Sequence, residues 1–439
     1  MTYTIDWDAA GKEAIQVLQD LIRLNTTNPP GNERQAAEYI QHKLVGVGIK
    51  SDILESGPGR ANLVARLASG HSAGPVLLLG HTDVVYADPD EWTHPPFGGE
   101  IHDDHVWGRG AMDMKNLLTM QLMTMLLVKR LDLPLQRDLI LLAVADEEAG
   151  GQHGAQWVVE HHYDKVEAEY VLGEGGRGFE LNSKEVYLVA TAEKGYGDLE
   201  LTVRGTAGHA AMPRGVNPVV TISQALLSVA NFAPPRRVMG SIREMVERLA
   251  PLFLEARNGR NASDRIDPLL DALPEEVGRF LKYALRDVYS PTIVRGGIKE
   301  NVIPNQASAN VNVRTLPGVT QVALLDTMES ILGGGVEIDV KQFYPGSESP
   351  IHSPLMEAIE MVMSETVPGS IVSPYMLPAM TDARFFRYRG ANAYGFSPVL
   401  TPPHLASTIH GKDERFPVAF LRLGTERLFR IVARLCGKA

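Results

Sequence analysis

The chain has 439 residues, 44% apolar and 22% charged, which is the make-up of an ordinary globular protein with room for one large and one smaller domain. Lys and Arg number 42 against 53 Asp and Glu, a net charge of −11, so no basic stripe is available and a nucleic-acid partner is argued against. The single cysteine, Cys436, excludes an internal disulfide and a thiolate metal cluster; no run approaches the roughly 18 apolar residues of a membrane span, and the start lacks a secretory pattern, so a cytoplasmic location and no membrane partner are expected.

Ala14, Ile15, Leu18, Leu21 and Ile22 fall at helical spacing and predict a helix over 8–24, ended by Asn25-Thr-Thr-Asn-Pro-Pro-Gly. A second helix is expected over 34–48. Short apolar runs bounded by Gly, Ser or Pro predict strands at 51–55, 62–67 and 76–80. A helix over about 115–130, a strand at 138–145, a helix near 152–162 and a strand at 169–173 follow. This alternation predicts an α/β sheet with helices on both faces and a site beyond the strands' carboxyl ends. After about 186 the pattern changes. Tyr187–Ala192 and Asp198–Val203 read as half-exposed antiparallel strands, followed by a helix at 218–231. Charged helical segments fill 236–290, with Pro251 and Pro274 as breaks. Strands are expected at 292–298, 307–315 and 336–343, with a helix at 319–332. Residues 352–439 return to the α/β style. The reading is a domain of 1–193 and 349–439, interrupted by an α+β domain of 194–348 with an extra helical stretch at about 236–290.

The chemistry-bearing residues gather at the predicted strand ends. His81-x-Asp83 follows one apolar run; residues two apart on an extended chain point the same way, so Asp83 can support the imidazole. A strand-end histidine capped by an aspartate reads the same. Asp113 lies in a Gly-rich turn ahead of a helix, where a first-turn acid is equally at home. Asp146-Glu147-Glu148 follows seven apolar residues, and Glu174 follows a fourth strand. His410 supplies a late imidazole. A dinuclear cation site accounts for this set jointly. Two divalent ions bring four positive charges; Asp113, Glu148 and Glu174 bring three negative ones, and a bridging hydroxide the fourth. Oxygen and nitrogen donors without thiolate suit zinc, with cobalt or manganese as substitutes.

These segments resemble the M20 family of metallopeptidases, which includes glutamate carboxypeptidase, aminoacylase-1, succinyl-diaminopimelate desuccinylase and related N-acyl amino acid hydrolases. The matching segments run in family order over essentially the whole chain. They are Gly80-His-Thr-Asp-Val-Val85, Trp107-Gly-Arg-Gly-Ala-Met-Asp-Met-Lys115, Ala145-Asp-Glu-Glu148, Gly173-Glu-Gly175 and Gly205-Thr-Ala-Gly-His-Ala210. Asn301-Val-Ile-Pro304, Val313-Arg314, Thr381-Asp-Ala-Arg384 and His410-Gly-Lys-Asp-Glu414 complete the series. The resemblance implies a zinc-peptidase-like mixed sheet flanked by helices and interrupted by a lid or dimerisation domain. It implies two Zn2+ ions bridged by Asp113, one completed by His81 and Glu174, the other by Glu148 and His410. Asp83 would orient His81, and Glu147 would be the general base. His209 would donate to the oxyanion. Asn301 and Arg314 would bind the free carboxylate of a small-molecule substrate, with Thr381 and Arg384 also lining the pocket.

Two departures bear on specificity and assembly. Ala379-Met380 stand before Thr381 where the family often shows glycines, and the stretch at 236–290 leaves open whether the chain is a homodimer and whether His209 acts within one subunit. The leading expectation is a carboxypeptidase or N-acyl-amino-acid amidohydrolase. A biosynthetic deacylase or desuccinylase is the alternative among enzymes, and a metal-free binding protein the alternative outside them.

Overall fold

The computed structural model describes residues 4–253, 262–273 and 275–437; Pro274, expected to break a helix, lies outside them. The chain divides into two compact units, one of Met1–Thr191, Ser349–Tyr375 and Thr381–Ala439, the other of Ala192–Glu348 and Met376–Met380.

In the first unit the strands Arg137–Val144, Ala73–His81, Tyr170–Gly173 and Asn392–Gly395 lie side by side in parallel. Their runs are apolar almost without interruption because parallel strands are covered on both faces. Arg60–Leu67 and then Ser51–Gly57 extend one side antiparallel; Lys184–Glu193 joins the other. Leu78, Leu141 and Leu172 stand in register across three strands and share one core with Leu18, Leu118 and Leu428. Those leucines come from the helices Trp7–Arg23, Lys115–Arg130 and Val418–Cys436.

The helix Lys115–Arg130 is buried on every side from Lys115 to Val128, so its polar residues must find partners inside. Gln121 Nε2 donates to the carbonyls of Leu79 and Leu172 at 2.9 and 3.3 Å, joining the two strands that lead to His81 and Glu174. Lys115 Nζ donates to the carbonyls of Leu21 and Leu24 at 2.8 and 3.0 Å. These are the open carbonyls at the end of the first helix, where a cation is favoured. Burial nevertheless pulls the Lys115 ammonium down to about 7.

Two elements differ from the sequence reading. Tyr187–Ala192 is buried throughout instead of half exposed, because Lys184–Glu193 runs inside the main sheet beside Asn392–Gly395. Three short strands, Glu100–His102, His105–Trp107 and Arg415–Pro417, form a small separate sheet.

The second unit holds an antiparallel sheet in the order Val288–Gly296, Gln306–Arg314, Tyr196–Arg204, Glu337–Tyr344. Its two central strands, Gln306–Arg314 and Tyr196–Arg204, alternate between buried and more exposed residues. Leu199, Leu201, Val203, Val311 and Val313 face a core shared with Ile222 and Val229 of the helix Pro218–Asn231 and Leu324 and Met328 of Gln321–Leu332. The stretch after Asn231 forms the helices Gly240–Leu249, Ala262–Ala272 and Glu275–Tyr283 among the described residues. Among the described residues no helix is long and apolar enough to cross a membrane.

Leu141 is wholly buried at the centre of the parallel strands. Leu141→Ala is expected to destabilise the protein by about 2–5 kcal/mol, read from the midpoint of a urea denaturation.

Candidate active site

Three parallel strands deliver acids and an imidazole to one end of the sheet. Ala73–His81 ends on His81 itself. Gly80 before it is closely packed: a Cβ there would stand 2.8 Å from Gln121 Oε1, so the side chains around it would have to shift. Arg137–Val144 leads through Ala145 to Asp146, whose φ of 67 is left-handed, and then to a tight turn, Glu147–Ala149. Tyr170–Gly173 leads to Glu174. Asp113 comes from the turn before Lys115–Arg130, and His410 follows the short helix Pro403–Ala406 with a left-handed φ of 59.

Asp113 is the hub. Its Oδ1 lies 3.2 Å from His81 Nε2 and its Oδ2 3.2 Å from His410 Nε2. Glu174 Oε2 stands 3.8 Å from His81 Nε2, and Glu148 Oε1 3.2 Å from His410 Nε2. The structure thus gathers two triads that share Asp113: His81, Asp113, Glu174 and Asp113, Glu148, His410. Within each, the candidate ligand atoms lie within 4.8 Å of one another. The donor set fits a pair of divalent cations: each triad offers one imidazole and two carboxylates, and neither offers a thiolate.

Acids outside the triads hold the loops that carry them. His81 Nδ1 meets the Asp83 carbonyl at 3.0 Å and its carboxylate at 3.5 Å, so the main chain of Asp83 is the nearer support for the ring. The Asp83 carboxylate accepts from the amides of Glu147 and Glu148, both at 3.1 Å, and from Asn28 Nδ2 at 2.9 Å. Asp146, given no role from the sequence, accepts from Asn28, from Arg60 at 2.6 Å and from the His153 amide. Arg60 in turn forks onto buried Glu33 with two bonds of 2.8 Å. Glu414 is wholly buried. It accepts from the amides of Gly110, Met112 and Asp113 and from Arg109 Nη1 at 2.6 Å, fixing the Asp113 turn to the segment that follows His410.

The charges within the cluster shift one another's pKa values in opposite directions. Burial alone raises the Asp113 carboxyl, but the His410 and His81 imidazoles on its two oxygens outweigh this and hold it well below the usual carboxylate range. Burial disfavours the His81 cation, yet Glu174, Asp113 and Asp83 hold its pKa well above the ordinary value. Asp113 and Glu148 raise His410 to about 10.

Glu147 belongs to neither triad, and burial followed by the charge of Glu174 pushes its carboxyl well above the usual range. It lines a small pocket with His81, Met114, Glu174, Thr381 and Asp382. Among the described residues neither Asp382 oxygen has a hydrogen-bond partner, and burial raises this carboxyl to about 7. Arg384, expected to line the pocket, is buried with its guanidinium turned to the carbonyls of Thr381 and Gly150, both at 2.7 Å.

The other expected residues lie in the second unit. His209 is exposed on the short strand Gly208–His209, paired with Val302–Ile303, and the Ala210 amide donates to the Asn301 carbonyl at 3.0 Å. The Ala211 amide donates to His209 Nδ1 at 3.1 Å, which leaves the ring proton on Nε2. Arg314, at the end of Gln306–Arg314, places its guanidinium 4.9 Å from the Tyr196 ring centre.

A paired imidazole–carboxylate cluster beyond the carboxyl ends of parallel strands, with a spare, partly buried glutamate beside it, is the arrangement expected of a metallohydrolase. The chain belongs to peptidase family M20/M25/M40, whose family model matches residues 77–434. It is accordingly an amide-bond hydrolase of a metal-dependent family. It is 32% identical over 426 residues to the N-fatty-acyl-amino acid synthase/hydrolase PM20D1 of Xenopus tropicalis, covering 92% of this chain and 82% of that protein. It is 29% identical over 383 residues to a probable succinyl-diaminopimelate desuccinylase of Staphylococcus aureus, covering 85% and 86%. The fold matches that of an M20 family metallo-carboxypeptidase, Sso-CP2, from Sulfolobus solfataricus, with a TM-score of 0.74 at 17% identity over 96% of this chain and 99% of that one.

Glu414→Ala is expected to cost about 3–5 kcal/mol, because it strands a buried guanidinium and three turn amides. Urea denaturation of the variant against the parent measures the loss.

Proposed function

We propose that the chain hydrolyses an amide bond next to a free carboxylate, using two divalent cations, zinc before others, held at the Asp113 cluster. The observation that carries this reading is Asp113, whose two oxygens face separate imidazole–carboxylate sets. His81, Asp113 and Glu174 would hold one cation, and Asp113, Glu148 and His410 the other; the same donors suit Co2+ or Mn2+. When bound, such cations supply Lewis acidity, polarising a carbonyl and lowering the pKa of water.

The chain's own residues do the rest. Glu147 accepts a proton from the attacking water on a carboxylate oxygen and passes it to the departing amine nitrogen. Asp83 steadies His81 through its carbonyl and the Glu147–Glu148 turn through its carboxylate. His209 donates its Nε2 proton to the developing oxyanion; the Ala211 amide on Nδ1 supports that tautomer. Arg314 and Asn301 take the substrate's free carboxylate, for which a guanidinium fork is the matching donor. Thr381 lines the pocket beside Glu147.

Similarity to an N-fatty-acyl-amino acid synthase/hydrolase favours N-acyl amino acids among substrates of this kind. Removal of a succinyl group is the second reading, favoured by the likeness to probable desuccinylases. A screen of N-acetyl, long-chain N-acyl, N-succinyl and dipeptide substrates, each with a free or blocked carboxylate, separates these readings. The reading fails if the metal-stripped protein keeps its amidase activity.

Glu147→Gln is expected to lower kcat by roughly 10²- to 10⁴-fold while the metal content stays at the parent value. Arg314→Ala is expected to lower kcat/KM for free-carboxylate substrates by roughly 10- to 100-fold and to leave carboxylate-blocked ones unchanged. Steady-state kinetics on matched substrate pairs, with metal analysis, check both.

A further inference from the structure

A second group of imidazole and carboxylate side chains lies outside the Asp113 cluster. It stands on the small sheet that the sequence did not announce. Glu100 and His102 are two apart on one strand and so share a face, with His102 Nε2 2.8 Å from Glu100 Oε2. His94 comes from the preceding loop and stacks on His102, ring centres 3.6 Å apart and planes within 3°. Candidate ligand atoms of His94, Glu100 and His102 lie within 4.8 Å of one another. Among the described residues no group hydrogen-bonds to either His94 nitrogen.

Several hydrogen bonds anchor the backbone that carries these three side chains. Thr93 donates its amide and hydroxyl to the two oxygens of Asp413 at 2.8 and 3.0 Å. The Arg109 amide donates to the Pro96 carbonyl at 2.8 Å. The strand Glu100–His102 pairs with His105–Trp107, and Trp107 Nε1 donates to the His102 carbonyl at 3.0 Å. Trp107 also closes one side of the group, its ring 4.7 Å from His94 in an edge-to-face contact.

We propose that His94, Glu100 and His102 form a third, peripheral cation site, selective for a late first-row divalent ion such as Zn2+ or Cu2+. Two imidazoles and one carboxylate with an open fourth position are ligands such ions prefer over Mg2+ or Ca2+. The candidate ligand atoms already lie within 4.8 Å of one another, and turning the half-exposed His102 ring about its Cβ–Cγ bond is the adjustment that would unstack the two rings around one ion. The anchored backbone means that little besides this ring must reorder. The site does not depend on the reading of the Asp113 cluster.

Trp107 provides the readout, because a paramagnetic ion bound to His94 quenches its emission. Cu2+ is titrated into the metal-replete enzyme after excess metal is removed, and the signal is referenced to a Trp107→Phe variant. A saturable quench specific to Trp107, reversed by excess Zn2+, is expected. His94→Ala and His102→Ala should each weaken Cu2+ binding by at least about tenfold, since loss of even an indirect support costs a metal site 10- to 100-fold. Glu100→Gln should weaken it less than either. Circular dichroism and amidase activity report that each variant is folded. A Trp107 quench that never saturates, or that survives in the His94→Ala, His102→Ala double variant, overturns the proposal.

Discussion

The crowding of carboxylates at one end of a parallel sheet is the constraint on which the rest of this structure depends. Asp113, Glu147, Glu148, Glu174 and Asp382 converge on one partly buried place, with His81 and His410 among them. Like charges in such a setting raise one another's pKa values, and burial raises them further. Burial, before any neighbouring charge, pushes Glu147, Glu174 and Asp382 up, while an imidazole on each of its oxygens holds Asp113 down. The protein therefore carries a cluster that is balanced only when positive charge is shared around Asp113.

Such a cluster needs loops that do not spread apart under their own repulsion, and the means recurs three times. A buried acid accepts the backbone amides of the residues beside the cluster. Asp83 does so for Glu147 and Glu148, Glu414 for Met112 and Asp113, and Asp146 for His153. Two of these acids are compensated by a buried guanidinium, Arg60 on Asp146 and Arg109 on Glu414. The anions that position the site are thus separate from the anions that form it. A carboxylate on a peptide amide is a charge-assisted bond, which suits loops that have no helix or sheet ladder to fix them.

Much of this was legible in the sequence because the parallel strands are short, apolar and bounded. The runs before His81 and Asp146 locate both strand ends, and Pro218–Asn231 is bounded by the Asn and Pro that start it. What could not be read depends on partners far along the chain. Tyr187–Ala192 is buried because Asn392–Gly395 pairs beside it, about 200 residues away. The strands Glu100–His102 and His105–Trp107 are three residues each, too short for any periodicity, and Arg415–Pro417 completes their sheet from the far end of the chain. Arg60 carries no local signal for its place under Asp146, and Arg384 none for turning to Gly150. Glu414 lies four residues after His410, but only the folded turn shows that it holds Asp113.

That the Asp113 cluster holds two cations is tested most directly by zinc-edge anomalous diffraction from crystals of the zinc-loaded protein. Two peaks of comparable height are expected, one among His81, Asp113 and Glu174, the other among Asp113, Glu148 and His410. A single peak at this cluster, or none, would contradict it.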